Sequence, residues 1–505
     1  MTSRVLLKDR ELDILKLLAE GLSDRSIAAR LNLSTETVRW YNKQVYGKLG
    51  VTSRGEAARR AIALGLIGTL EPPTERPSPV DRSPIRYVSN DGVSLAYQVV
   101  GAGPVDLLFI PGFVSHLEIS WEEPGYAAFF EELGRHARVI IFDKRGVGLS
   151  DRIHGPSTLE HTISDARCVL RAVGSTRAFV SGTSESGAAA VLLASTYPDE
   201  VQGLLLIAAT PMPARRGPEP EWARSWEEFE RNITLIQETW GEPWAIERFA
   251  PSRKGDAAFE AWWSRALRSA ASPASVRLIM EQAMQVDIRA LLPQVRTRTL
   301  IVHRTDDPVV HIGAARYFAA RMPNATVVEL QGTDHLYFVQ PQAVAQPIVR
   351  FLAEPNADPR IDTWIATVLQ STGPGALLTD EKRRILSAME ARQVRTTPNG
   401  WAALFDAPNR AIRCAERLRE LGRGRVGGMA LHVGACRTTD GMPVGASHEI
   451  ARRLVESAVP GEILVSGTLR DILAGSDVAL VVRSIDGGDD ASPPMTVWKL
   501  ASRDI

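Results

Sequence analysis

The sequence predicts a multi-domain chain: an all-α segment, then an α/β segment with a mostly parallel, doubly wound sheet and a helical cap, then an α+β segment. Three observations lead there. At 505 residues the chain is longer than one hydrophobic core sustains. Basic charge gathers at one end: residues 1–70 hold 12 Lys/Arg and 7 Asp/Glu, a local charge of +5 in a chain whose formal net charge is zero. Strand and helix patterns alternate through the middle of the chain and resume, in a different order, near its end.

Composition narrows the function classes. Apolar content is ordinary and the charges balance, so any surface for nucleic acid must be local and no membrane association is expected. Cys168, Cys414 and Cys436 are odd in number, widely spaced and without histidine at ligand spacing. They read as reduced thiols, with no disulfide, metal site or cofactor implied. No run approaches the roughly 18 apolar residues of a membrane helix, and no apolar signal core follows Met1. A soluble, cytoplasmic protein is expected.

Within residues 1–70, Leu12, Ile14, Leu15, Leu17 and Leu18 form the apolar stripe of a first helix that stops at Gly21. Ser23 caps a second helix, Asp24 to Leu31. Ser34 or Thr35 caps a third that runs to Leu49 before Gly50, and Ser53 opens a fourth that ends near Leu66. Two short helices joined tightly, the later one longer and carrying Arg39, Lys43 and Lys48, have the layout of a helix-turn-helix. The run ELDILKLLAEGLSDRSIAARLNLSTETVRWYNKQVYGKLGVTSR resembles the LuxR-type DNA-binding domain along almost its whole length. The resemblance implies that Arg39, Trp40 and Lys43 face base edges in the major groove of double-stranded DNA, and that Thr37 and Lys48 contact phosphate. It also implies that the fourth helix joins two copies, so a homodimer would read a two-fold pair of half-sites. Residues 71–83, with Pro72, Pro73, Pro77 and Pro79, read as a semi-rigid linker.

In residues 84–354, Arg86 to Val88 and Leu95 to Val99 flank the hairpin signal Asn90-Asp91-Gly92. Strands are then expected at Leu107–Ile110, Arg138–Phe142, Ala178 to Gly182, Gly203–Ala208, Thr299–His303 and Thr326–Leu330. The elbow strand breaks at Gly182 and turns into a helix at Ser184, the context in which a serine hydroxyl is lifted clear of a sheet. Small residues two places either side of that serine let strand and helix approach. Gly182 supplies the first, whereas Ser186 stands at the second, with Gly187 one place later.

Ser184 is the candidate nucleophile. Asp307, chosen over Asp306 on register, follows the strand Thr299–His303, and His335 follows the last strand. The chain order Ser, Asp, His matches the α/β-hydrolase pattern. Backbone N–H groups of Phe113 and Glu185 are the candidate oxyanion donors. His116 and His303 read as packed polar groups. The segment resembles the α/β-hydrolase family over its whole length. PGFVSHLE, FDKRGVGLSD and HRTDDPVV look like the subgroup joined to nucleotide-cyclase-type domains. A serine nucleophile implies acyl transfer to water on an ester or lactone, not the aspartate chemistry of dehalogenases and epoxide hydrolases. Between about residues 211 and 290 helical patterns replace strands and hold Trp222, Trp226, Trp240, Trp244, Trp262 and Trp263. They are expected to form a cap, mostly cap core, with one or two rings lining the site.

In residues 358–505, Val394 to Leu404, Ala411 to Leu421, Gly428 to Gly434, Glu449 to Ala458 and Glu462 to Leu473 give strand, helix, strand, helix, then strand and short helix. RTTPNGWAALFDAP, ALHVGA, ARRL and PGEILVSGT look like a class III nucleotide-cyclase domain, of the ferredoxin-like α+β type. That resemblance implies two metal-holding aspartates, but one falls in a stretch without it, Ala366 to Thr372, and the other on Asn399. Arg452 matches a catalytic arginine, and His448 stands where asparagine is usual. A degenerate cyclase-like domain, kept for pairing subunits or holding a nucleotide, is the expectation.

Together these point to a DNA-binding transcription regulator whose hydrolase segment binds and cleaves a small acyl compound. The alternative is a serine esterase or lactonase in which the helix-turn-helix serves only as a tether or dimer arm.

Overall fold

The structure is a computed structural model. It describes residues 7–19, 24–31, 33–52, 56–57, 60–61, 64, 66, 80–153, 155, 157–243, 245–354, 363–422, 426–439, 442–473, 476–485 and 495–501. The chain forms two compact units, Met1–Pro79 and Val80–Ile505.

The first unit holds α1 (Asp9–Ala19), α2 (Asp24–Leu31) and α3 (Thr35–Leu49). Ile14, Leu15 and Leu18 of α1 meet Ile27 of α2 and Val38, Val45 and Leu49 of α3 in one buried cluster, as the stripe requires. The cap of α3 is Ser34, whose Oγ accepts from the Thr37 N–H at 3.1 Å. Its other end closes on Gly50 at φ 65, the left-handed geometry glycine adopts readily. Gly21, Ser23, Ser53 and much of the expected fourth helix lie outside the described residues. Ala57 and Ala61 of that stretch are helical and buried.

In the second unit, an eight-stranded sheet has the order β1-β2-β4-β3-β5-β6-β9-β10. Its members are β1 (Arg86–Asn90), β2 (Val93–Val100), β3 (Asp106–Ile110), β4 (Arg138–Phe142), β5 (Ala178–Thr183), β6 (Val201–Ile207), β9 (Thr299–Arg304) and β10 (Ala325–Leu330). β1 and β2 pair antiparallel and β2 joins β4 antiparallel, while every pairing from β4 to β10 is parallel. Alternation places Leu108 and Ile110 on one face of β3 and Leu107 and Phe109 on the other, so both faces must be covered. α4 (Pro124–Gly134) and α12 (Pro341–Ala353) pack on one face, and α5 (Leu159–Ala172), α6 (Gly187–Thr196) and α11 (Ile312–Arg321) on the other.

The cap holds α7 (Trp226–Thr239), α8 (Ile246–Phe249), α9 (Ala257–Ala270) and α10 (Pro273–Ala283). It is not wholly helical. The two-residue strands β7 (Ala214–Arg215) and β8 (Arg224–Ser225) pair in parallel, too short to register as a sequence period.

A second sheet has the order β12-β13-β11-β14-β16-β18-β17, with β15 (Met442–Val444) beside β14. The strands are β11 (Thr363–Thr372), β12 (Gln393–Thr397), β13 (Gly400–Phe405), β14 (Gly428–Thr439), β16 (Ile463–Val465), β17 (Leu480–Ile485) and β18 (Met495–Leu500). The neighbours from β12 to β14 all pair antiparallel, and β14 runs parallel to β16. The single strand expected at Val394–Leu404 is a hairpin, because Pro398 and Asn399 turn the chain. Its helices are α13 (Asp380–Ala388), α14 (Pro408–Leu421), α15 (Ala446–Glu456) and α16 (Gly467–Ile472).

The two sheets share one layer. All ten residues of α6 are buried, because one side faces the first sheet and β11 packs on another. A helix apolar all round is stable only if covered all round. The Glu160 carboxylate accepts from the Asn409 N–H at 2.7 Å, at the first turn of α14 where the helix dipole favours negative charge. Removing everything after Glu354 should therefore expose α6 and cost about 3 kcal/mol or more. Thermal melting of the shortened chain should show a lower Tm with increased binding of a hydrophobic dye. An unchanged Tm would mean that the first sheet needs no such cover.

Candidate active site and nucleic-acid interface

β5 delivers Ser184 to the C-terminal edge of the parallel sheet at φ 55, a left-handed backbone that a serine adopts only under constraint. The constraint is the close approach of strand and helix. A Cβ on Gly182 would lie 2.7 Å from both Ala190 Cβ and Ser186 O, and one on Gly187 would lie 2.6 Å from Ala209 Cβ. The second essential glycine is thus Gly187. Ser186 is accommodated because its hydroxyl donates to Pro111 O at 2.7 Å, while Lys144 Nζ donates to it at 3.1 Å and to Glu185 Oε1 at 2.9 Å.

The three residues separated in sequence converge. Ser184 Oγ lies 3.1 Å from His335 Nε2, and His335 Nδ1 lies 2.8 Å from Asp307 Oδ2. The other carboxylate oxygen of Asp307 accepts from Val309 N at 2.8 Å and Val310 N at 3.1 Å. Burial pushes the pKa of Asp307 up, but the His335 ring beside it and these N–H donors outweigh that and hold it below the usual carboxylate value. Asp306 points elsewhere, accepting from the Thr305 hydroxyl. This geometry lets a hydroxyl pass its proton to an imidazole whose orientation a buried carboxylate fixes.

The loop after β3 passes the nucleophile closely: a Cβ on Gly112 would sit 3.4 Å from Ser184 Cβ, and Phe113 lines the cavity beside Ser184. His303 is fully enclosed, with Nε2 donating to Val310 O at 2.7 Å, and burial pushes its pKa down. His116 closes its own loop, Nδ1 accepting from Glu118 N and Ile119 N. His303 is a packed polar group, as expected, whereas His116 is half-buried and lines the cavity beside Ser184.

Several positioning residues were not anticipated. Arg304 at the end of β9 is buried and donates to Asp334 O at 2.7 Å and Leu336 O at 3.2 Å, tying the His335 loop to the sheet. Asp334 accepts from Ser252 N and Oγ, tying the same loop to the cap. Asp143 takes the Ser115 hydroxyl at 2.6 Å and the Leu149 and Leu117 N–H groups, joining the loops after β3 and β4. Buried in this way, its carboxyl is pushed above the usual range.

Two compartments meet at Ser184. One is aromatic, lined by Phe113, Phe249, Trp262, Trp263, Tyr337 and Phe338. The other is reached past Phe113 and Phe249 and is lined by Thr210, Trp222, Arg224, Asn232 and Arg248. Trp262, Trp263 and Trp222 are therefore the cap rings at the site, and Trp244 lies outside the described residues. Among the described residues no three His, Cys, Asp or Glu side chains gather as a metal site would require.

In the first unit, α3 presents Arg39, Trp40 and Lys43 outward, with Trp40 57% exposed, and Thr37 stands half-buried in its first turn. Positions 39, 40 and 43 share one helix face. Lys48 has a partner within the unit. Its ammonium lies 2.8 and 2.7 Å from the two oxygens of the buried Glu11, locking α3 to α1. A carboxylate buried in that cluster requires a cation, and sequence spacing of 37 residues hides the pair.

Two stretches of the chain match known families. Residues 5–61 match the model of bacterial regulatory proteins of the luxR family, and residues 107–341 match that of the alpha/beta hydrolase fold. The chain thus carries a LuxR-type helix-turn-helix followed by an α/β-hydrolase domain. It is 26% identical over 256 residues to the pimeloyl-[acyl-carrier protein] methyl ester esterase of Nitrosomonas europaea, covering 49% of this chain and 94% of that protein. It is 44% identical over 59 residues to the bialaphos biosynthetic pathway regulatory protein of Streptomyces hygroscopicus, covering 12% of this chain and 23% of that protein. No helix of the described residues is long and apolar enough to cross a membrane.

Asp307→Asn should keep the fold and reduce kcat by roughly 10³ to 10⁴-fold on an activated ester, since the imidazole loses its orienting carboxylate. Asp306→Asn should stay within about twofold of wild type. Equal losses in the two variants would contradict the geometry.

Proposed function

We propose that this protein is a DNA-binding transcription regulator whose α/β-hydrolase domain binds and hydrolyses a small ester- or lactone-type compound. The observation that carries the reading is the unbroken contact from Ser184 through His335 to Asp307, beside a cavity and on the same chain as a basic, outward-facing helix. Ser184 acts as nucleophile, His335 as base and then acid, and Asp307 orients the imidazole. Phe113 and Glu185 N–H groups stabilise the oxyanion. Arg39, Trp40 and Lys43 reach base edges and Thr37 a phosphate, while Lys48 serves the fold of the helical unit. The likeness to a methyl ester esterase supports an acyl ester as one substrate class.

The segment beginning near residue 358 is read as a degenerate nucleotide-cyclase-type domain. The antiparallel order β12-β13-β11-β14, with α13 and α14 as crossovers, supports it. Asn399 in the β12–β13 turn offers no charge to a metal ion, and Arg452 is held by Glu449 and Glu456. A homodimer, joined through the helical unit or this domain, would present two α3 helices to DNA.

Two measurements test the reading. A fluorophosphonate should label wild type stoichiometrically and Ser184→Ala not at all, as read by intact mass; an unlabelled, folded wild type would remove hydrolysis from the proposal. Selection from random duplex DNA should enrich one sequence. Arg39→Ala and Lys43→Ala should each weaken its binding by about tenfold, with affinity falling steeply as salt rises. No enrichment would leave the helical unit as a tether or dimer arm only.

A further inference from the structure

Beyond the aromatic compartment, the second compartment at Ser184 holds more hydrogen-bond donors than the protein satisfies. Arg224, on β8, uses one guanidinium nitrogen, Nη2, for the carbonyls of Pro308 at 2.9 Å and Val309 at 2.8 Å. Among the described residues that leaves Nε and Nη1 without a protein acceptor. Arg248, on α8, donates from Nη1 to Asn232 Oδ1 at 3.0 Å, leaving Nε and Nη2 without an acceptor among the described residues. Asn232 in turn has a buried Nδ2 with no partner among the described residues. All three side chains line the same cavity as Ser184.

The charge there is equally incomplete. Neither guanidinium has a carboxylate within ion-pairing distance among the described residues. Glu228 acts on both from farther away, Glu247 on Arg248 and Asp307 on Arg224. Glu185, the acid among the described residues lining this cavity, is paired with Lys144. Burial pushes the Arg224 pKa down to about 10, with the like charge of Arg248 adding to the effect. Holding two cations and an unpaired amide together in a cavity is unfavourable unless something supplies acceptors and negative charge. Arg224's clamp on the loop after Asp307 accounts for one of its nitrogens; it does not account for Arg248 or for the Asn232 amide.

We propose that Arg224, Arg248 and Asn232 form a subsite for an anionic group, a carboxylate or a phosphate, on the compound bound at Ser184, whose apolar remainder occupies the aromatic compartment. The inference rests on the reading of Ser184 as the residue that meets the ligand, and it makes the substrate an acidic ester or lactone with one apolar arm. Guanidinium forks bind such oxyanions through paired, charge-assisted hydrogen bonds. The subsite selects, because a neutral analogue leaves these donors unpaired.

The test uses the full chain carrying Ser184→Ala, so that binding is read apart from turnover. Titration calorimetry at low salt compares 4-phenylbutyrate, its neutral amide, and 3-phenylpropylphosphonate. At least one of the two anions should bind about tenfold or more tightly than the amide. The stronger of the two identifies the oxyanion. Adding Arg248→Met should erase the preference without weakening the amide, and Arg248→Lys should restore part of it. Arg248 is the residue of choice because it does not hold the acid loop, and unchanged melting of the variants confirms that the fold is kept. Equal binding of acid and amide, no binding of any of the three, or a preference that survives Arg248→Met would overturn the subsite. Absence of fluorophosphonate labelling in wild type speaks against the nucleophile instead, so the two failures are distinguishable.

Discussion

The backbone of Ser184 is the constraint around which the second unit is arranged. A left-handed conformation costs a non-glycine residue roughly 1–2 kcal/mol, and it persists only where its surroundings leave no alternative. Here they leave none. Gly182 and Gly187 have no room for a side chain, and the Ser186 hydroxyl is fixed to Pro111 O. α6 leaves the turn enclosed on every side. The hydroxyl thereby stands where His335 can reach it, and the His335 loop is itself pinned by Arg304 from the sheet and by Ser252 from the cap.

Much of this was legible in the sequence for a physical reason. The catalytic residues of such a fold sit where parallel strands end, so strand periodicity and chain order place Ser184, Asp307 and His335 without any knowledge of contacts. The choice of Asp307 over Asp306 followed from register, and the structure brings Asp307 to the histidine. The helical unit was legible because its stripes and caps are local. What escaped depends on pairs distant in sequence. Glu11 and Lys48 meet across two helices, Arg304 reaches carbonyls some 30 residues away, and Arg224 meets the acid loop 84 residues on. The hairpin in the last segment was lost to a different cause, since Pro398 and Asn399 interrupt a run whose flanks both read as strand. The enclosure of α6 had a sequence signal: its apolar residues show no preferred face, which for a helix means that no face meets water.

The two compartments at Ser184 differ in chemistry, and the difference arises from the cap. α9 supplies the indoles of the aromatic side, whereas β8 and α8 supply the guanidinium groups of the other. The sheet fixes what reaction the site can carry out, while the cap decides which molecule fits. The helical unit divides its basic residues in a similar way. Lys48 is consumed by the fold, and Arg39 and Lys43 remain on the surface. A count of positive charges would have treated all three alike.

The sharing of α6 between two sheets has a consequence for how the molecule is made. α6 ends at Thr196 and the strand that covers it begins at Thr363, 167 residues later by subtraction. At roughly 5–20 residues per second, a ribosome takes on the order of ten seconds to bridge that interval. During it the side of the elbow helix that faces β11 lacks that cover. Cover for the β11-facing side of that helix thus waits on the C-terminal sheet, and a nascent chain halted before residue 363 would leave that side bare. The last segment supplies the final cover of the elbow helix.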